Sequence, residues 1–510
     1  MLNQENPFDM NKRIIIPVTI LLLTFFSCEN FLEIAPETSV TIENFYESES
    51  DFVQAVIGTY APLRDLYEED WEMTELRSDN THFIFDIANR GTQPTEDLGL
   101  FTVETNNVTV FNKWANNYLI ISRANQILAT IDEVDFAQSS KDDLKGQALF
   151  LRALAYFDLV RHFGGVPLFL DPPTSYETTF RDRSTKDEVF NQVIADAQEA
   201  ANLLPDKGSQ SVGRATSGAA NTLLGHVYLR LGQWADAETA LSRVEDDGYV
   251  LLDDYSAIFE PANEGNDEIV FEVEYVEGAS QNMQSTFPYA FLPEVDDPAV
   301  ITGVSPAARN GGGSFNTPTP EMLAAYEEGD SRLTASVGFY TGPSPLVGVT
   351  YENTPYIKKY QHPHLIGGQT GQNWIIYRYS DVLLMLAEAK NERGKTGEAK
   401  GYVDLVRARA GLAATAASTQ SELREAILQE RRVELAFENK RWHDLVRAGR
   451  AVEVMNEFGN RMIANPQDYY YPDGNAPLPG AFQVDENSLI YPIPVSEIII
   501  NPTLNQNPGY

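Results

Sequence analysis

The chain has 510 residues and one cysteine, Cys28. It can therefore form no intramolecular disulfide, and its stability must come from a large core. Basic residues are also scarce, with 37 Lys and Arg against 74 Asp and Glu, a net charge of −37. A surface this acidic repels phosphate backbones and anionic headgroups, and no basic stripe interleaved with aromatic residues offsets it. Nucleic acid is excluded as a partner. The six histidines are scattered, and the nearest pair, His362 and His364 around Pro363, lacks neighbours at metal-ligand spacing. No metal site and no cofactor are expected. The Gly-x-Ser-x-Gly elbow, the His-Glu-x-x-His helix, the phosphate-binding loop and the Gly-rich dinucleotide fingerprint are all absent. Paired carboxylates could serve glycoside hydrolysis, but 74 acidic residues supply such pairs by number alone, so no enzyme is expected.

Long apolar runs are missing too, except at the start. In "RIIIPVTILLLTFFSCEN", residues 13 to 30, Lys12 and Arg13 precede an apolar stretch from Ile14 to Phe26, and Ser27 stands before Cys28. The stretch is too short to span a bilayer as a mature helix and has the order of a secretory signal, with the sole thiol in place of an A-x-A-like site. Cys28 is thus the expected lipidation site of a bacterial lipoprotein, with residues 1–27 as its signal peptide. A buried free thiol is the alternative, but it leaves the order of charge, apolar run and thiol unexplained. Each buried CH2 contributes only ~0.8 kcal/mol, so several acyl chains are needed to hold such a protein firmly. Removing residues 1–27 takes away two basic and two acidic residues and leaves the net charge unchanged.

From Glu49 to Arg243 apolar residues recur at three- and four-residue spacing, predicting helices in succession. Gly164-Gly165 with Pro167, and Pro205, mark helix ends, while Ser184-x-x-Asp187 resembles a capping box. Within "AANTLLGHVYLRLGQWADAETALSRV", Leu224, Gly225, Tyr228 and Ala237 fit the 34-residue helix-turn-helix repeat, with Asn221 at its Trp position and Leu241 at its Phe position. A second copy places Ala387 and Ala399 in the slots of Gly225 and Ala237, with Lys390 replacing the Tyr. Ala153 and Tyr156 form a third half-match. Ordinary helical hairpins remain the other reading of any one copy. Between Tyr255 and Trp374 the texture changes to Gly, Pro, Asn and Thr, with a strand predicted in "NEGNDEIVFEVEY" and one short helical piece around "PEMLAAYEEGD". So long an irregular stretch inside a helical scaffold is more often functional than idle.

The segment "ELREAILQERRVELAFENKRWHDLVRAGR", residues 422 to 450, resembles the C-terminal helix of the SusD/RagB family. "RHFGGVPL", "TPTPEMLAAYEEGDSRL", "YRYSDVLLMLAEAKNERG" and the final "YPIPVSEIIINPTLNQNPGY" match in the family's order, so the resemblance spans the chain. It implies a mainly α fold: a tetratricopeptide-like scaffold of about four helix pairs carrying an inserted subdomain of irregular loops and short strands. The expected divisions are the signal peptide at 1–27, an N-terminal helical region at 28–254, a loop-rich ligand-binding insertion at 255–374, and a C-terminal helical region with an extended tail at 375–510. The resemblance further implies a surface-exposed lipoprotein of the outer membrane. Such a protein binds an oligosaccharide, or sometimes a peptide, and passes it to a SusC-like TonB-dependent transporter. Arg431, Glu434, Glu438 and Arg441, at intervals of three, four and three residues beside Trp442, place alternating charge on one helix face. Either a solvated ladder of small value or a partly buried network pinning the helix to loops fits this spacing, and neither is catalytic.

Sugar recognition needs a flat aromatic face for the C–H side of the ring, with amide, carboxylate or guanidinium groups for the hydroxyls. "WEMTELRSDNTHF" offers Trp71, Arg77, Asp79 and Asn80, and the insertion offers Tyr289, alternating with Phe287 and Phe291 along an extended stretch, and Trp374 after a Gly-rich loop. Each has a duller reading: the alternating rings could form the buried face of a strand, and Asp79-Asn80 could simply cap a turn. Because Cys28 precedes the folded body, Cys28→Ala is expected to leave folding intact and to move the protein out of the membrane fraction. Its retention in washed outer membranes would remove the lipid-anchor reading.

Overall fold

The computed structural model describes residues 45–84, 93–278, 283–305, 313–345, 350–470, 478 and 480–510. The signal and Cys28 lie outside these residues. Chain order begins with helices α1 (Glu49–Tyr60) and α2 (Pro62–Met73), then β1 (Thr81–His82). It continues with α3 (Gln93–Leu100), α4 (Val108–Thr130), α5 (Gln138–Phe163), α6 (Lys186–Leu203), α7 (Ser217–Arg230) and α8 (Trp234–Glu245). The insertion opens with β2 (Ile269–Val273), passes through α9 (Phe287–Ala290), α10 (Ala299–Thr302), β3 (Thr317–Pro318), α11 (Pro320–Ala325) and α12 (Ser331–Ser336), and turns through β4 (Val337–Pro343) and β5 (Thr350–Ile357). It closes with β6 (Trp374–Arg378), followed by α13 (Tyr379–Glu392), α14 (Thr396–Arg409), α15 (Gln420–Glu434), α16 (Arg441–Arg447), α17 (Ala451–Ala464) and α18 (Val495–Ile500).

Successive helices pack on one another from α4 to α8, and α8 then packs directly on α13. The helical stack therefore continues across the insertion, which leaves it after α8 and rejoins it at α13. Small residues set the spacing as the repeat pattern predicts: a Cβ on Gly225 would lie 2.4 Å from Leu241 Cγ, so only glycine lets α7 and α8 approach this closely. Ala237, Ala387 and Ala399 are fully buried at the matching positions. One apolar core runs from Leu63 in α2 through the helices and the insertion to Leu504 in the tail.

Several local expectations are corrected. The cap of α6 is one residue later than read, with Thr185 accepting from the Glu188 N–H and Glu188 accepting from Thr185. Among the described residues the insertion holds four short α-helices and the antiparallel β4–β5 hairpin rather than one helical piece. The stretch from Phe287 is the short helix α9, not extended chain, so its rings do not alternate across a strand. The charged C-terminal helix breaks after Glu434, where Phe437 (φ 65°) and Asn439 (φ 60°) take left-handed conformations. Glu438 thus lies in a turn, and Arg441 and Trp442 begin α16 instead of extending one face.

The four charges nevertheless join buried networks. β2 and β6 pair antiparallel as the neck of the insertion, with Ile269 opposite Arg378. From that neck, Arg378 donates to Glu438 (Nε to Oε2, 2.8 Å), to Glu268 (2.9 Å) and to Glu434. Glu434 also binds Arg409 and, at 3.0 Å, Arg332, which reaches Glu430 at 2.6 Å. Burial pushes the Glu434 carboxyl up, but Arg409, Arg378 and Arg332 outweigh it and hold the group well below the usual range. Arg431 binds Asp381 and Asp444, both at 2.8 Å, and Arg441 binds Asp79 at 2.8 Å. Trp442 is 2% exposed in the satellite core under α17. The network is therefore buried, and the solvated-ladder reading is set aside.

Removing one partner from such a network leaves uncompensated buried charge and costs about 3–5 kcal/mol. Arg378→Met is expected to destabilise the protein by that amount in denaturant unfolding, and a loss under about 1 kcal/mol would contradict its central place. A second test uses α2, where burial raises Glu72 to about 7 although it accepts from Thr109 (2.9 Å) and Thr95 (3.1 Å). Its folded value lies above the unfolded one, so its proton stabilises the fold at low pH and that contribution is lost as pH rises from the ordinary carboxylate range through 7. Glu72→Gln is expected to match wild type near pH 4 and to be more stable by about 2–3 kcal/mol at pH 8. Equal stabilities at pH 8 would show that the carboxyl titrates normally.

Candidate functional site

α2 carries Trp71 into the protein interior, where the ring is 4% exposed and meets Phe291 edge-on at 5.4 Å. Phe291 packs on Phe287, Phe287 meets Trp374 at 5.0 Å, and Trp374 (1% exposed) stacks on Tyr360 at 26°. These rings form an aromatic box joining α2 to the insertion, and its members are covered by one another. Arg77 lies between the rings of Phe101 (4.1 Å) and Tyr491 (4.4 Å) and donates to the carbonyls of Leu98 and Ser488. Asp79 is held by Arg441 and Arg432, and burial is outweighed by these cations, so its carboxyl stays below its usual value. Asn80 donates to Glu75, accepts from Arg432, and receives the Thr319 N–H on its carbonyl. Tyr289 is 3% exposed, with its hydroxyl 2.7 Å from His364 Nε2.

The structure thus brings Trp71, Trp374, Asp79, Asn80 and Tyr289 to the junction of scaffold and insertion, sets Arg77 against α3 and the C-terminal tail, and buries all six. In this conformation none offers an open ring face or an accessible polar group to a sugar, because each is covered by the protein, Arg77 Nε included, which is buried without a hydrogen-bond partner. Asp70, Asp158 and His162 converge closely enough to suggest a cation site, but the Lys113 ammonium already occupies that space, bound to both aspartates.

One layer outside the box is an open cleft of about 320 Å3, lined by Glu264, Tyr275, Glu277, Gln361, His362, His364 and Gln372 among others. Tyr275 and Tyr360 form its buried wall, and exposed Val276, Leu365 and Ile366 lie beside it. The His364 ring is fixed: Nδ1 faces the His362 carbonyl at 2.8 Å and so carries the proton, leaving Nε2 to accept from the Tyr289 hydroxyl. His362 Nε2 faces the Lys359 carbonyl at 3.0 Å by the same logic, so Nδ1 is an acceptor. Gln361 donates to Pro288 O, and Gln372 donates to Asn373 O while its Oε1, buried, has no partner. Partial burial and the nearby Glu272 and Glu274 push Glu264 up to about 8. The sequence marked this loop by its Gly, Pro and His content, but nothing in the pattern pointed to Gln372 or Gln361. Polar residues in a loop acquire a role only through the fold that gathers them. A second groove, about 240 Å3 on the scaffold, is lined by Trp234, Arg424, Arg447 and Arg450, whose guanidinium groups are paired with Glu392, Glu388 and Glu425 respectively.

Two family models match this chain. The model described as the SusD family covers residues 348–510, and that described as "Starch-binding associating with outer membrane" covers residues 30–229. The chain is 27% identical to SusD-like protein P25 of Formosa agariphila, covering 97% of this chain and 99% of the other. Among solved structures, a laminarin binding SusD-like protein superposes with a TM-score of 0.73 at 26% identity, covering 91% of this chain and all of that one. NanU of B. fragilis superposes with a TM-score of 0.72 at 25% identity, covering 93% of this chain and all of that one. With the helical stack, the inserted subdomain and both family models in agreement, the chain belongs to the SusD-like family.

Proposed function

We propose that this protein captures a glycan at the cell surface and delivers it to a SusC-like TonB-dependent transporter in the outer membrane. It is held there by a lipid on Cys28 after loss of residues 1–27. It acts as a binding protein and not as an enzyme. The observation that carries the reading is the similarity, over 91% of the chain, to a solved protein named for laminarin binding. The helical side, 28–254 and 375–510, faces the transporter, and the insertion, 255–374, faces the ligand. Helical repeats commonly serve protein contact, while irregular loops on a rigid scaffold carry recognition. A binder needs no catalytic carboxylate pair, and the conspicuous buried carboxylates here are engaged in holding the fold.

The test is affinity electrophoresis of the purified protein through gels containing a panel of polysaccharides, with reducing-end release assayed alongside. Retardation by at least one polymer without release of reducing ends is expected. Release of reducing ends would make the protein a hydrolase, and absence of retardation by every polymer would count against glycan capture.

A further inference from the structure

The cleft beside Gln372 has an uneven chemistry. Gln372 Oε1 is a buried acceptor without a partner, His362 Nδ1 is left an acceptor because Nε2 faces the Lys359 carbonyl, and Glu277 Oε1 accepts the N–H groups of Leu365 and Ile366. Gln361 Nε2 gives one N–H to Pro288 and Gln372 Nε2 gives one to Asn373, so each amide keeps a second N–H, while the Tyr289 hydroxyl is given to His364. The Lys359 ammonium is bound to Glu438 and to the Ala436 carbonyl, both at 2.7 Å, and among the described residues no Lys or Arg lines the cleft. Glu264 and Glu277 line it directly, and Glu272 and Glu274 lie behind.

We propose that this cleft is a subsite for a neutral, hydroxyl-rich saccharide chain, a specificity that rests on the glycan-capture reading above. A buried acceptor left without a donor costs about 1–3 kcal/mol, and a ligand that supplies a hydroxyl to Gln372 recovers that cost. An apolar ligand supplies none. Sulfate or uronate groups meet the Glu277 carboxylate and, among the described lining residues, no Lys or Arg, so acidic chains are disfavoured by the same lining that suits hydroxyls. Protonated Glu264 and the second N–H of the Gln361 and Gln372 amides can also donate, which suits a sugar hydroxyl able to accept as well as give. Val276 and Pro363 at the rim provide apolar surface for the C–H side of a ring. At about 320 Å3 the cleft is at the small end of ligand sites, of order 300–1,000 Å3, and so takes a short length of chain.

The experiment uses the purified full-length protein in detergent, with laminarin, soluble starch and inulin as neutral probes and alginate and polygalacturonate as acidic ones. Retardation by at least one neutral polymer and by neither acidic one is expected. Gln372→Leu removes the buried acceptor, and His362→Ala, at a half-buried rim position, removes a second acceptor with little risk to folding. Each is expected to weaken binding of the retained polymer at least about fivefold while melting at the wild-type temperature, and should Gln372→Leu fail to fold, His362→Ala decides. Unchanged neutral binding in the folded variants would overturn the subsite while leaving glycan capture standing. Retention by an acidic polymer would overturn the charge selection, and retention by none would remove both readings together.

Discussion

The ion network around Arg378 and Glu434 is the constraint on which the rest of the molecule depends. Arg378 ends β6, the strand by which the insertion returns to the scaffold, and Glu434 ends α15. Between them, with Glu268 at the entrance of β2, Arg409 at the end of α14 and Arg332 in α12, they tie five separate segments at one buried point. Charges this deeply buried gain little over apolar residues of equal size, because desolvation consumes most of the Coulombic attraction. Their value is geometric. Each guanidinium is satisfied in only one arrangement of its carboxylates, so the network selects one docking of insertion on scaffold where a patch of leucines would tolerate several.

From that point the remaining architecture follows. The antiparallel β2–β6 neck, with an irregular register between Ile269 and Phe271, is too short to hold an insertion of this size alone. The aromatic box of Trp71, Phe287, Phe291, Tyr360 and Trp374 supplies the apolar part of the attachment. Trp71 and Trp374 therefore act behind the cleft rather than in it, and Tyr289 acts through His364, which its hydroxyl orients. A site built of short loops gains its precision from such backing, since loops lacking packed support sample too many conformations to hold several acceptors in place.

How much of this was legible in the sequence depended on the range of the interaction. Helix periodicity and the small residues at Gly225, Ala237, Ala387 and Ala399 were readable because they report contacts between neighbouring helices. Errors arose where local rules met tertiary demands. Thr185 and Ser184 are equally good caps by composition, and the backbone, with Glu188 reaching back, chose Thr185. Glu438 and Arg441 kept helical spacing on paper, but Phe437 and Asn439 turn left-handed where Glu75 accepts both of their N–H groups. The polar neighbours of Trp71 and Trp374, among them Glu75, Arg77, Asp79 and Asn373, are themselves buried through partners 98 to 411 residues away. No single sequence displays such pairings.

Charge links the scaffold to the site. Buried acids are matched by buried cations such as Arg332, Arg378, Arg431 and Lys359 and by half-buried Arg409, Arg432 and Arg447, so the interior is close to self-neutralising. The formal charge of −37 therefore rests largely on the exterior. At physiological ionic strength that field is screened over ~8 Å, so it acts on a polymer only at contact, as where Glu277 lines the cleft. A chain of neutral sugar rings enters such a cleft without electrostatic cost and finds acceptors waiting, whereas a polyanion must approach carboxylates while the cations that could neutralise it are committed to holding the fold.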